Sequence, residues 1–230
     1  MESLVKPAAV LPNLWNLWKK TLSTRKGGIA ALAAVVALGT AVLLAQPQAV
    51  ASPDLAHGDP ARIADLRAHW RYGDIVVLIR HVERCDRSDA PCLAGHDGIT
   101  VRASEVAREI GSEFQHLGLG NADIYNSPLP RARQSAEYMF GPANSVTQDW
   151  LYQCKGSMLR DMLEHKQEQR NLVLVTHSEC FDALMHDLKL PDGATPAYGS
   201  ALFAFADKTS GATQLLGHID AADWRVAFPR

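Results

Sequence analysis

The sequence carries no excess of either charge: 23 Lys and Arg stand against 25 Asp and Glu, a formal net charge of −2. No basic surface or interleaving of basic and aromatic residues marks it as a nucleic-acid binder. None of its four cysteines sits in a CxxC pair, and the nine histidines, His81, His96, His116 and His177 among them, lack zinc-type spacing. That speaks against a dedicated metal site, and no cofactor is expected. Internal repeats are absent, and the only biased tract is an Ala-rich one near the N-terminus.

The most informative absence is local. No charged residue occurs between Lys26 and Asp54, and Ile29 to Ala45 is an almost unbroken run of Ala, Val, Leu and Ile. Lys19, Lys20, Arg25 and Lys26 lie on its N-terminal side, so the positive-inside rule keeps residues 1–26 cytoplasmic and sends the chain beyond Ala45 across the membrane. A buried core helix would be shorter and capped rather than flanked by four cations. Residues 27–45 therefore read as a signal peptide or a membrane anchor. Ala49-Val50-Ala51 has the small-residue pattern of a cleavage site, whereas the long preceding segment and Trp15 and Trp18 beside lysines favour the anchor. Both place the remainder in the periplasm, exported or held at the inner membrane by this helix.

Residues 46–60 are rich in Pro, Ala and polar residues without periodicity and read as a linker, leaving 61–230 as the folded domain. Within it, 75–79 (IVVLI) and 172–175 (LVLV) are short, wholly apolar runs expected to be strands buried on both faces. Val101, Val106, Ile110, Phe114 and Leu117 recur at helical spacing over 100–117. Further helices are expected over 131–140, 158–168 and 181–188, a weak strand over 123–125, and late strands over 201–205 and 214–216. The alternation predicts an α/β fold, a three-layer sandwich with a mostly parallel central sheet flanked by helices.

Ligands of open α/β sheets sit at the carboxyl ends of the strands. The first apolar run leads into Arg80-His81-Val82-Glu83-Arg84 and the second into Thr176-His177-Ser178-Glu179. A lone histidine there would be read as a satisfied core residue. Two arginines within four residues beside one need an anion, and planar guanidinium forks suit phosphate oxygens; Glu83 or Asp86 pairing with them is the plainer alternative. Arg131, at the expected start of a helix, opposes the helix dipole and again asks for an anion, although a solvated Arg131 would serve equally.

Arg80-His81 after an apolar strand, Ser127-x-x-x-Arg131-Ala-x-Gln-Ser-Ala, and His177 after a second apolar strand resemble, in order and spacing, the histidine phosphatase superfamily. The stretch from Arg80 to Ser88, with Cys92, Gly98-Ile99-Thr100-Val101, Leu151-Tyr152-Gln153-Cys154 and Thr176-His177-x-x-Cys180, is similar to the lipopolysaccharide core heptose(II)-phosphate phosphatase family. The resemblance implies a phosphomonoester hydrolase with His81 as a transiently phosphorylated nucleophile. It implies that Arg80, Arg84 and Arg131 bind the phosphoryl group, that His177 completes the pocket, and that the substrate is a phosphorylated sugar or lipopolysaccharide. Neutral imidazole attack and arginine stabilisation need no metal.

Two departures stand out. Val82 replaces the glycine usual after the nucleophile, and no acidic residue clearly holds the proton-donor position: Gln153 occupies one expected place and Ser178 another. Glu83, Asp149 and Glu179 are candidates, with Glu179 first because it is nearest to His177. The missing acid keeps a non-catalytic phospho-ligand-binding protein in view, and a general scavenging phosphatase would share the same residues. A phosphomutase would need a donor acid and a cytosolic substrate, which the export segment opposes. Export to an oxidising compartment favours disulfides over four free thiols, with Cys85 pairing Cys92 across a short polar loop and Cys154 pairing Cys180.

Overall fold

The computed structural model describes residues 52–191, 193 and 195–229. The apolar helix expected over 27–45 lies outside them. Among the described residues no helix is long and apolar enough to cross a membrane. In chain order the elements are α1 (Pro60–Tyr72), β1 (Ile75–Arg80), α2 (Val101–Leu117), β2 (Ala122–Asn126), α3 (Pro130–Phe140), β3 (Val146–Thr147), α4 (Met158–His165), β4 (Asn171–Thr176), α5 (Ser178–Asp187), β5 (Ala201–Ala206), β6 (Thr213–Ile219) and α6 (Trp224–Ala227). Single 3-10 turns span Cys85–Arg87 and Asp149–Leu151.

The strands form one sheet in the order β3-β2-β4-β1-β5-β6. β1 and β4 are its centre, and alternate residues of each point to opposite faces. Ile75, Val77, Ile79, Val173 and Val175 join one core with Trp70, Ile110, Phe114, Met139 and Trp224, beneath α1, α2, α3 and α6. Val76, Leu78, Leu172 and Leu174 join a second with Met158, Met162, Phe181 and Leu184, beneath α4 and α5. Burial on both faces is why these two runs contain no polar residue.

Among the described strands β5 alone runs against the others, so the sheet is mostly parallel and mixed by this one strand. β1 pairs parallel with β4, and β2 with β3 and β4, but β5 runs antiparallel to both β1 and β6. The hairpin β5–β6 needs no crossover, and nothing in the apolar pattern of Ala201 to Phe205 distinguishes its direction. β6 also extends past the expected 214–216, with Gly217 at φ 154 where the β-carbon of any other residue would meet Pro53 O at 2.4 Å.

Residues 52–59, read from composition as part of a linker, pack on this edge. Leu55 is buried in the first core and its amide donates to His218 O at 2.9 Å. Asp54 closes the turn by accepting from the amides of Ala56 and His57. Helix α1, which periodicity did not signal because it buries only Leu66 and Trp70, is instead specified by its ends. Asp59 caps Ala61, Pro60 occupies the first turn, and Gly73 takes φ 88 at the C-cap. Helix α4 stops at His165, earlier than the expected 168, because Lys166 leaves the helical region. Helices α2 and α3 approach closely at Gly111, where a β-carbon would meet Met139 O at 2.0 Å.

Candidate active site

The carboxyl ends of β1 and β4 are locked together by their backbones. The His81 amide donates to Thr176 O at 2.9 Å, and on the other side Arg80 N donates to Ser200 O and Gly199 N to Arg80 O. Both histidines thus leave the sheet side by side, His81 3% and His177 4% exposed, with ring centroids 5.3 Å apart.

The tautomer of His81 is set by its neighbours. Its Nδ1 lies 2.8 Å from Val82 O, a pure acceptor, so Nδ1 carries the proton. Nε2 is left with its lone pair, and Arg131 Nε donates to it at 3.2 Å. Burial, with the cationic surroundings of Arg131 and Arg80 and the neighbouring His177, lowers the His81 pKa to about 3, which keeps the ring neutral at ordinary pH. Val82 sits in the core, and its amide donates to Ser135 Oγ at 3.0 Å. Ser135 in turn donates to Arg131 O at 2.7 Å, and Gln134 Oε1 accepts from Ile99 N at 2.9 Å. The Arg131-Ala-x-Gln-Ser-Ala segment is therefore a brace that fixes the His81 turn and the Cys85–Cys92 loop to α3.

His177 is held by Ser127, whose Oγ lies 2.7 Å from Nε2, while its Nδ1 is buried without a partner. Desolvation and then Arg131 lower its pKa to about 4. Ser127 opens the segment that leads to Arg131, yet no local pattern in the sequence gives it a task; its place on the chain just past β2 brings it here.

The three arginines differ. Arg131 begins α3 with no acidic residue in the first turn. Arg80 donates to Pro196 O, lies with its guanidinium carbon 4.1 Å from the centre of the Tyr198 ring, and keeps Nε buried and unpartnered. Arg84 is held by Asp86 in a two-pronged ion pair, so the plainer alternative holds for this one residue. Desolvation lowers the pKa of Arg80 and Arg131, whereas the Asp86 hydrogen bond raises that of Arg84. Arg80 and Arg131 both feel the charge of Arg84.

A cavity of about 320 Å³ opens here, lined by Arg131, Tyr152, Gln153, Lys155, His177 and Glu179 with Cys154 and Cys180. Of the three candidate acids only Glu179 lines it. Glu83 accepts from Arg102 Nε at 2.7 Å and Thr100 Oγ1 at 2.8 Å, and the Arg102 hydrogen bond holds its pKa at about 2. Asp149 is exposed at the start of a 3-10 turn. Desolvation pushes the Glu179 carboxyl up, but its own backbone amide, Ser178, His177 and Arg131 outweigh this and leave its pKa lowered. Both disulfides form, Cys85–Cys92 and Cys154–Cys180, with Cα separations of 5.3 and 5.4 Å. Among the described residues no group of three His, Cys, Asp or Glu side chains is placed to hold a metal.

No family model matches the sequence. A curated Escherichia coli protein, lipopolysaccharide core heptose(II)-phosphate phosphatase, is 34% identical over 160 residues, covering 68% of this chain and 74% of that protein. A second Escherichia coli protein of the same name is 35% identical over 161 residues with the same shares. Among solved structures, phosphoserine phosphatase from Entamoeba histolytica in complex with 3-phosphoglyceric acid is similar over 63% of this chain and 95% of that one, at 15% identity and a TM-score of 0.48. The protein histidine phosphatase SixA complexed with tungstate is similar over 64% and 97%, at 15% identity and a TM-score of 0.47. On its identity to the curated relatives, the chain belongs to the lipopolysaccharide core heptose(II)-phosphate phosphatase family, a family of phosphatases.

Proposed function

We propose that the protein hydrolyses a phosphate monoester through a phosphohistidine on His81, with the heptose phosphate of the lipopolysaccharide core as substrate. The observation that carries this reading is the fixed tautomer: Nδ1–H points to Val82 O, and the Nε2 lone pair faces the Arg131 guanidinium. An arriving phosphate would take over the Arg131 donor and present its phosphorus to that lone pair.

In the first step Nε2 attacks phosphorus in line, the N–P bond forms and the ester P–O bond breaks. The sugar oxygen leaves with a proton from the Glu179 carboxyl. In the second step water attacks phosphorus, the N–P bond breaks, and the water proton returns to Glu179 as phosphate departs. The lowered pKa of Glu179 suits it as the base of the second step. A phosphate dianion beside it adds like charge and raises that pKa, which supplies the acid form for the first. Arg80, Arg84 and Arg131 offset the charge on the equatorial oxygens, and His177, neutral and anchored by Ser127, offers a further hydrogen bond to them.

The cation-flanked apolar run over 27–45 supports a periplasmic location, exported or anchored to the inner membrane, where two disulfides persist. Two experiments test the proposal. Brief reaction with a labelled phosphate ester and an alkaline quench traps an acid-labile adduct; label that survives His81→Ala, or sits on serine or cysteine, removes the mechanism. A deletion strain shows extra core phosphate by mass spectrometry of its lipopolysaccharide, reversed by the wild-type gene. An unchanged pattern removes this substrate and leaves the chemistry.

A further inference from the structure

The proposed chemistry uses Arg131, His177 and Glu179 of the cavity lining and leaves its exposed rim without a task. Tyr152 is 57% exposed, and of the exposed large hydrophobic side chains among the described residues (Tyr72, Val101, Val146, Tyr152 and Val226) it alone lines this cavity. Its ring centre lies 6.4 Å from that of His177, the two planes at 82°. Lys155, three residues on, is exposed on the same rim and makes no ion pair among the described residues.

The rim is built to stay still. Leu151 is fully buried and its carbonyl accepts from Thr176 Oγ1 at 2.8 Å, at the end of β4. Between Tyr152 and Lys155, Cys154 is bonded to Cys180 in the first turns of α5. An aromatic ring anchored on both sides and left open to solvent loses little freedom when it binds something. Its face suits a flat, partly apolar surface, and the C–H face of a pyranose ring is one. A lysine is a mobile point charge that reaches a phosphate or carboxylate without demanding a fixed geometry.

We propose that Tyr152 and Lys155 form an outer subsite for a sugar ring carrying a second anionic group, the ring lying on Tyr152 and the second anion on the Lys155 ammonium. This rests on the phosphatase reading for the phosphate end of the ligand and adds to it the class of the remainder. A small acyclic ester would use the inner pocket alone; a polyanionic glycan would use both.

The test uses the full-length chain in detergent, phosphorylated core oligosaccharide and glycerol 2-phosphate as substrates, and phosphate-free core oligosaccharide as a binding probe. Tyr152→Ala should raise KM on the oligosaccharide about tenfold, equivalent to ~1.4 kcal/mol, with kcat little changed. Its kcat/KM on glycerol 2-phosphate should stay within about twofold of wild type, and Tyr152→Phe should restore the oligosaccharide KM, since the ring face and not the hydroxyl is used. Lys155→Ala should remove part of the salt dependence of that KM and spare the small ester. By calorimetry, Tyr152→Ala should weaken binding of the phosphate-free oligosaccharide by the same factor. Equal losses on both substrates, or oligosaccharide binding unchanged by Tyr152→Ala, overturn the subsite while the phosphatase reading stands. A wild-type protein that hydrolyses neither ester sinks the phosphatase reading instead, and the calorimetric comparison still decides the subsite.

Discussion

The two ends of the central sheet bury polar side chains in opposite ways. At the amino end of β4, Lys166 is 1% exposed, yet its ammonium donates to Gly73 O at 2.8 Å and to Gln167 O at 2.7 Å. Beside it, Asn171 accepts from Ile75 N and donates to Trp70 O. At the carboxyl end Arg80 Nε and His177 Nδ1 are buried and unanswered. Burial costs both ends the hydration of polar groups. The satisfied end uses it to pin α1 and α4 to the strands, and the unsatisfied end holds its donors and lone pairs for a ligand. At these two ends, saturation of hydrogen bonds separates the structural pin from the candidate site.

Substitutions should therefore sort by end. Arg131→Ala removes the donor facing His81 Nε2 and, on the proposed mechanism, should lower kcat/KM about a thousandfold, while the melting temperature moves by no more than about 2 °C. A large stability loss would make Arg131 a pin. Lys166→Met should do the reverse, leaving the buried Gly73 carbonyl without its side-chain donor at a cost of about 1–3 kcal/mol, with kcat per folded molecule unchanged. Denaturant titration and active-site counting separate the two.

Acid should distinguish the ends as well. His81 and His177 have folded pKa values of about 3 and about 4 against an unfolded value near 6.5. The folded state thus binds fewer protons than the unfolded one between those limits. The stability these groups contribute is complete above pH ~6.5 and is lost as pH falls toward 4 and then 3. The acid limb that His81 gives kcat/KM should fall in that lower range; a limb near 6.5 that remains once the second ionisation of the substrate phosphate, at about 6, is allowed for would show His81 to be solvated. The smallest effect expected is from Arg84→Ala, about tenfold in kcat/KM, because Asp86 already answers that guanidinium.

What the sequence made legible divides along the same line. The apolar runs in β1 and β4 announced strands buried on both faces, and the histidines leaving them announced the candidate site, because both signals are local. The reversed direction of β5 was not legible, and it hid Tyr198. β5 starts opposite Ile79, so the loop before it lands at the carboxyl end of β1 and places Tyr198 over Arg80 and 5.5 Å from the His81 ring. The pairing of Arg84 with Asp86 was one of two readings open to the sequence, since only geometry decides between a neighbour and a ligand. Helix α5 begins at Ser178 and not Phe181 because its first turn is polar and faces the cavity, where apolar periodicity has nothing to report.

The close approach at Gly111 bears on how genetic variants of this enzyme would be classified. A β-carbon there would press on the backbone of Met139 and tilt α3, the helix that carries Arg131 at one end and the Ser135 brace of the His81 turn along its length. A Gly111 allele would thus be scored as a loss of catalysis although its residue touches no substrate. Mutational screens that weigh positions by distance from the phosphate would place it among the neutral ones.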